Sequence, residues 1–193
     1  MSELASSAPD PAAAAVSSLR QEGSVVLGIV VEVPQPWGDD LQQWRLGFGD
    51  NFADHMPTHI TIVAPVTVPS GQLDEILADI DSLCAAMPRF HVATAGVESF
   101  RPVSPVVYLA VGDGSEHLGE LHDRLLPAVS PAPPLHPYVP HITLAMHLPA
   151  AVLDAAAQAL SDYEATWEVT EVSSYLRGRD GRWLPLAAHL LKG

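Results

Sequence analysis

The chain has 193 residues, of which 48% are hydrophobic and 17% are charged, so it can bury a full core and is not broadly disordered. Its formal net charge is −14, from 23 acidic residues against nine lysines and arginines, and such a surface repels long DNA or RNA. Cys84 is the only cysteine, which excludes an internal disulfide and a cysteine-based metal cluster.

The N-terminal residues 1–22 are rich in Ala, Ser and Pro, which predicts a flexible tail ahead of one bilobal domain over residues 23–193. No basic start with a long apolar core is present, and no apolar run approaches the ~20 residues that span a bilayer. We therefore expect a cytoplasmic monomer that neither crosses nor binds a membrane.

Hydrophobic periodicity predicts the elements of the first half in the order strand, helix, strand, helix, strand, strand. These elements are predicted over residues 24–33, 37–48, 58–68, 73–87, 90–100 and 104–111. A helix over residues 115–126 and a proline-rich loop over 127–140 follow.

The second half repeats strand, helix, strand, strand at an offset near 80 residues. These elements are predicted over residues 141–148, 151–163, 166–176 and 182–191. The order fits an α+β fold better than an alternating parallel one. We predict two pseudo-symmetric lobes of antiparallel sheet, with helices packed outside and a cleft between the lobes.

The tripeptide His-x-Thr lies at the start of the second strand of the first half and of the first strand of the second half. The copies are His59-Ile60-Thr61 and His141-Ile142-Thr143. Side chains alternate faces along a strand, so each histidine shares a face with its threonine while the isoleucine points the other way. Two such strands related by pseudo-symmetry would place two imidazoles and two hydroxyls around one point in the cleft.

This set of groups suits phosphodiester cleavage. One neutral imidazole, of His59 or His141, can accept a proton from water or a ribose hydroxyl, and the other, protonated, can donate one to the leaving oxygen. The hydroxyls of Thr61 and Thr143 can donate to non-bridging phosphate oxygens. The scheme requires no metal or cofactor, and the sequence leaves open which histidine is the base.

The segments Pro57-Thr58-His59-Ile60-Thr61-Ile62 and Pro140-His141-Ile142-Thr143-Leu144-Ala145 resemble the two signature motifs of the 2H phosphoesterase superfamily. Within it, the chain is most similar to bacterial 2′-5′ RNA ligase-like and cyclic phosphodiesterase proteins, over about residues 25–191. The resemblance implies a bilobal fold and metal-independent hydrolysis of 2′,3′-cyclic phosphates or 2′-5′ linkages on nucleotides or RNA ends. It also implies that the four motif side chains form the catalytic and phosphate-binding set.

The chain departs from many relatives in lacking a basic residue just after the second motif, where Ala145-Met146-His147 stands. Together with the acidic balance, this favours a small nucleotide or an RNA end over long RNA as the partner. Two alternatives stay open: a non-catalytic module that binds a nucleotide or RNA end, and a metal-dependent hydrolase. The usual metal-ligand spacings are absent around the motifs.

Two further residues are candidate substrate contacts. Arg101 could neutralise phosphate, although a solvent-facing loop position is favoured, and Tyr138 could stack a base, although packing is the commoner role. The only basic cluster, Arg177, Arg179 and Arg182, lies on a predicted hairpin turn. It could meet a distal phosphate of the substrate, but an exposed turn is the favoured interpretation.

Overall fold

The structure is a computed structural model that describes residues 11–130, 132–134 and 136–192. Five α-helices and eight β-strands follow the predicted order closely. The strands are β1 Ser24–Glu32, β2 His59–Pro69, β3 Phe90–Ser99, β4 Val106–Val111, β5 His141–Met146, β6 Thr166–Val169, β7 Glu171–Arg177 and β8 Trp183–Leu190. The helices are α1 Pro11–Leu19, α2 Trp37–Gly47, α3 Leu73–Ala85, α4 Ser115–Val129 and α5 Ala150–Ala159.

All eight strands lie in one sheet, in the order β6-β3-β4-β5-β2-β1-β7-β8, and every neighbouring pair is antiparallel. The sheet divides at its middle, where β2 and β5 share only one register pair, Ile60 with Ile142. We call β2, β1, β7 and β8 the first lobe, and β5, β4, β3 and β6 the second lobe. The predicted α+β fold with two antiparallel lobes is thus confirmed.

Helices cover the face of the sheet opposite the motif histidines. Helices α3 and α4 pack on the first lobe, and α2 and α5 on the second. Each buries residues spaced three or four apart, such as Leu118, Leu121 and Leu125 of α4. Ile60 and Ile142 are fully buried in this core, which leaves the alternate side chains of their strands for the cleft.

The repeat begins one strand earlier than the sequence predicted. The pseudo-equivalent units are β1-α2-β2-α3-β3 and β4-α4-β5-α5-β7, because each element of one unit occupies the corresponding place in the opposite lobe. β6 and β8 are the outermost strands of their lobes. Each unit therefore gives its motif strand to one lobe and its last strand to the other, which ties the lobes together.

Several predicted boundaries differ from the structure. The strand predicted over 166–176 is divided at Thr170, because β6 pairs with β3 in the second lobe and β7 pairs with β1 and β8 in the first. Within the predicted tail, residues 11–19 form α1, whose Leu19 is buried; residues 1–10 lie outside the described residues. Helix α4 continues through Pro127, and its last residue, Val129, is buried.

No helix within the described ranges is both long and apolar enough to cross a membrane.

Candidate active site

The two His-x-Thr motifs meet where the lobes join. The antiparallel pair Ile60–Ile142 sets His59 across from Thr143 and Thr61 across from His141, with all four side chains on the face opposite the helices. The two histidines are then diagonal neighbours, and diagonal pairs of this kind lie roughly 7 Å apart. A tetrahedral anion hydrogen-bonded on two sides fits that spacing.

Both histidines are held by the same local hydrogen bond. Nδ1 of His59 bonds to the carbonyl oxygen of Pro57 at 2.7 Å, and Nδ1 of His141 bonds to that of Val139, also at 2.7 Å. A carbonyl oxygen only accepts, so Nδ1 carries the proton in each ring and Nε2 is the nitrogen available to a ligand. The pseudo-symmetry of the chain thus extends to the tautomer of both imidazoles.

Both imidazoles favour the neutral form. Burial lowers the pKa of His59 from 6.5 to about 4, against the effect of its Pro57 hydrogen bond, and the positive charge of Arg45 lowers it further. Burial also lowers the pKa of His141. Because Arg45 acts on His59, the two sites differ electrostatically although their backbone contacts match.

Arg45 is a buried cation that the sequence analysis did not single out. Its Nη2 and Nε atoms lie 2.8 and 3.1 Å from the same carboxylate oxygen of Asp50, and both residues are at most 6% exposed. The other Asp50 oxygen accepts the backbone N–H of Phe52. The two residues are five positions apart and Asp50 lies beyond the end of α2, so the sequence does not show the i,i+4 spacing by which helical ion pairs are recognised.

The first motif opens into a cavity of about 200 Å³ in the first lobe. The polar side chains of its wall belong to Arg45, His55, His59, Thr61 and Arg177, and Trp183 and further apolar side chains complete it. These further apolar side chains belong to Val30, Phe52, Met56, Val63, Pro65 and Met146. The wall is therefore mostly apolar, with a few polar groups near the motif, as is common in small-molecule sites.

The indole of Trp183 can form part of this wall because Gly28 has no side chain to block it. A Cβ at Gly28 would lie 3.0 Å from Cζ3 of Trp183, so the indole rests almost directly on the β1 backbone. On its other side, Trp183 borders a larger pocket of about 570 Å³ that also contains Glu32, Asp54 and Tyr175. The indole thus separates the cavity at the motif from a more acidic pocket.

In the second motif, His141 is surrounded by aromatic side chains. The rings of Phe100 and Tyr108 lie 5.0 and 5.1 Å from the His141 ring, centroid to centroid. Tyr108 also pairs in register with Thr143, which places its side chain on the cleft face. These rings exclude water from His141, which is the physical reason for its lowered pKa.

A tyrosine–glutamate pair flanks the motifs in each lobe. Tyr108 donates to Glu98 at 2.9 Å in the second lobe, and Tyr175 donates to Glu32 at 2.6 Å in the first. Burial and the Glu98 carboxylate raise the pKa of Tyr108 to about 12, and burial and Glu32 raise that of Tyr175. Both phenols therefore stay protonated, and both carboxylates have one oxygen occupied.

The two candidate substrate contacts take different positions. Arg101 bonds to Asp154 at 2.8 Å and to the Ser99 hydroxyl at 3.1 Å, so its guanidinium is already paired on the surface. Tyr138 donates its hydroxyl to the carbonyl of Thr61 at 2.9 Å. Neither geometry is that of an open substrate contact, and Tyr138 instead fixes the backbone of the first motif.

His122 completes that fixation from α4. Its Nδ1 bonds to the carbonyl of Ile62 at 2.7 Å, and its ring stacks on Tyr138 with centroids 4.2 Å apart and planes 7° apart. Ile62 has no register partner on β1 because the β1–β2 register shifts there, and β2 shares only one register pair with β5. Side chains therefore contact these two carbonyls in place of a neighbouring strand. The stacked pair of His122 and Tyr138 thus fixes the position of the β2 backbone beside the cleft.

No group of three or more His, Cys, Asp or Glu side chains is arranged to hold a metal ion within the described part of the chain.

Comparisons with known proteins agree with this architecture. A profile of the 2′-5′ RNA ligase superfamily matches residues 33–181. A protein of Geobacillus thermodenitrificans named "Putative phosphoesterase" is 30% identical over 124 residues, which cover 64% of this chain and 70% of that protein. Staphylococcus aureus proteins of the same name are 25% identical over the same length.

Solved structures share the fold at low sequence identity. Escherichia coli LigT in complex with NADP+ has a TM-score of 0.62 at 19% identity, covering 88% of this chain and 99% of LigT. TT0787 of Thermus thermophilus has a TM-score of 0.61 at 17% identity, covering 87% and 98%. The profile match spans most of the chain, and we conclude that the chain belongs to the 2′-5′ RNA ligase superfamily of 2H phosphoesterases.

Proposed function

We propose that the protein is a metal-independent phosphodiesterase that hydrolyses 2′,3′-cyclic phosphates or 2′-5′ linkages of small nucleotides or RNA ends. The observation that carries the proposal is the register pair Ile60–Ile142, which sets both His-x-Thr motifs around one point on the cleft face. Two imidazoles with free Nε2 atoms and two hydroxyls at this point supply proton transfer and phosphate contacts.

We assign the roles from the difference between the two imidazoles. Burial, with a further contribution from the Arg45 cation, lowers the pKa of His59 to about 4, so His59 stays neutral and serves as the base, accepting a proton from the attacking water through Nε2. Burial also lowers the pKa of His141, but without a contribution from Arg45, and His141 serves as the acid. Water forms the new P–O bond, one ribose oxygen leaves with the proton of His141, and the product is a nucleoside monophosphate.

The threonines act on the phosphate itself. Thr61 and Thr143 are half-buried and lie across from the opposite lobe's histidine. Their hydroxyls donate to the non-bridging oxygens, on which negative charge accumulates in the transition state. The bound anion also raises the pKa of both imidazoles, which favours the protonated acid once substrate is in place.

The ligands of LigT support a phosphate-bearing substrate. Its crystal structures are complexes with 3′-AMP, ATP, NADP+ or phosphate, all of which carry phosphate groups. For this chain, the net charge of −14 restricts the substrate to a small phosphodiester that the cleft can take up locally.

Turnover of nucleoside 2′,3′-cyclic phosphates in excess EDTA tests the proposal. We expect hydrolysis by the wild type and a loss of about 10²–10⁴-fold in kcat for His59→Ala and for His141→Ala. His91→Ala, at an exposed position of β3, is the control and should retain wild-type rates. Equal rates in all four proteins would overturn the assignment of the histidines.

The same assay separates the alternatives. Binding of a nucleoside monophosphate without turnover of any cyclic phosphate would favour the non-catalytic binding module. Activity that is lost in EDTA and restored by a divalent metal would contradict the metal-independent scheme.

The pH dependence tests the acid and base assignment. For kcat/KM, His59 must be neutral and His141 protonated in the free enzyme. With the pKa of His59 near 4 and that of His141 below 6.5, we expect an optimum between about pH 4 and 6.5. A kcat/KM that is maximal above pH 7.5 would contradict these roles.

A further inference from the structure

The basic cluster on the β7–β8 hairpin separates into three different environments. Arg179 bonds to Glu22 through Nε and Nη2 at 2.9 and 2.6 Å. Arg182 bonds to the carboxylate of Asp54 at 2.9 Å. Arg177, the last residue of β7, is exposed, lines the cavity next to the first motif, and has no carboxylate partner among the described residues.

Arg177 is thus the arginine of this cavity without a carboxylate partner among the described residues. Arg45 also lines the cavity, but it is buried and its Nε and Nη2 atoms are bonded to Asp50. On a chain with a net charge of −14, a single unpaired guanidinium at a cavity mouth creates a local site for an anion. Guanidinium groups match phosphate oxygens with two parallel hydrogen bonds.

The register places Arg177 well away from the position of the scissile phosphate. On one side of β1, Leu176 pairs with Leu27, and on the other side Thr61 pairs with Val30. Arg177 is thus about two strand spacings, or roughly 10 Å, and about four residues, or roughly 13 Å, from Thr61.

The resulting backbone separation is about 16 Å, and an arginine side chain spans only about 7 Å of it. A phosphate hydrogen-bonded to Thr61 could reach the guanidinium only if both side chains lay fully extended toward each other along the sheet, whereas side chains stand roughly perpendicular to a sheet. The interval between the two positions is lined by apolar wall, including the indole of Trp183, which rests on Gly28 of β1. This interval suits the ribose that separates the 5′- and 3′-phosphates of one nucleotide.

We propose that Arg177 binds a second anionic group of the substrate, a phosphate at the 5′ end of the nucleotide whose 2′,3′-cyclic phosphate lies between the motifs. The inference rests on the proposed function, because that function fixes where the first phosphate sits. It assigns the protein to substrates with a terminal 5′-phosphate in preference to plain nucleoside cyclic phosphates.

Matched substrates and variants test this assignment. The probes are adenosine 2′,3′-cyclic phosphate with and without a 5′-phosphate, and the readout is the ratio of their kcat/KM values. We expect the wild type to prefer the 5′-phosphorylated substrate by about tenfold or more, the value of a charge-assisted contact. Arg177→Gln should bring the ratio close to one, while Arg179→Gln, on the same hairpin but paired with Glu22, should keep it.

A binding measurement keeps this inference separate from the proposed reaction. Calorimetric titration compares adenosine 3′-phosphate with adenosine 3′,5′-bisphosphate, neither of which requires turnover. A preference for the bisphosphate that Arg177→Gln removes and that weakens in salt would support the inference even if no cyclic phosphate were hydrolysed. If the wild type bound both nucleotides with equal affinity, or if Arg177→Gln kept the preference for the bisphosphate, the inference would be overturned whether or not hydrolysis occurs.

Discussion

Replacement of His59 by glutamine should make the protein less sensitive to acid. The pKa of His59 is about 4 in the folded chain and 6.5 in a solvated one. Between these values the unfolded chain binds more protons than the folded chain, so stability is complete above pH 6.5 and decreases as the pH falls toward 4. Integrated from pH 7.5 to 4.5, this group alone removes about 2.5 kcal/mol from the free energy of unfolding.

Urea denaturation at pH 7.5 and 4.5 measures this effect as a difference between two proteins. The wild type should lose about 2.5 kcal/mol more than His59→Gln between the two pH values, which is a relative midpoint shift of about 1 M urea. Contributions from the acidic residues are common to both proteins and cancel. The control His91→Gln, at an exposed position, should follow the wild type. Parallel losses in the wild type and His59→Gln would refute the idea that burial suppresses protonation of this imidazole.

Three further substitutions test contacts around the cleft and in the core. Tyr138→Phe removes the hydrogen bond to the Thr61 carbonyl and should cost about 1–2 kcal/mol in urea denaturation together with a lower kcat, whereas an unchanged kcat would deny it a positioning role. His189→Ala removes a fully buried imidazole that bonds to two side chains, and should cost about 2–4 kcal/mol, which a wild-type urea midpoint would contradict. Gly28→Ala should displace Trp183, whose ring lies 3.0 Å from the new Cβ, and alter tryptophan fluorescence and nucleotide affinity; unchanged values of both would show that the indole does not wall the cavity.

The sequence predicts the parts of the fold that depend on local pattern. Alternation along β2 and β5 correctly separates the histidines and threonines of the motifs from the buried isoleucines. The helices are predicted to within a few residues because their apolar stripes recur at three and four residues. The catalytic roles of the four motif side chains remain predictions.

The remaining features depend on contacts between distant parts of the chain. The break at Thr170 exists because β6 and β7 pair with strands of different lobes, and an apolar run in the sequence carries no sign of such a division. The single pair Ile60–Ile142 joins residues 82 positions apart, so its register could not be read from either motif.

The side chains that distinguish the two histidines were missed for the same reason. Arg45 reaches His59 from α2, and Phe100 and Tyr108 reach His141 from the end of β3 and from β4. The sequence shows two equivalent imidazoles, and only the packing of these neighbours favours His59 as the base under our proposal. Gly28 was the one available local signal for Trp183, since a glycine inside an otherwise β-branched strand often marks a close approach.

A crystal structure with adenosine 3′-phosphate bound tests most directly the claim that both motifs form one site. We predict that the phosphate lies within about 3 Å of Nε2 of His59 and His141 and of the hydroxyls of Thr61 and Thr143. A phosphate bound to one motif alone, or outside the cleft between β2 and β5, would contradict the account.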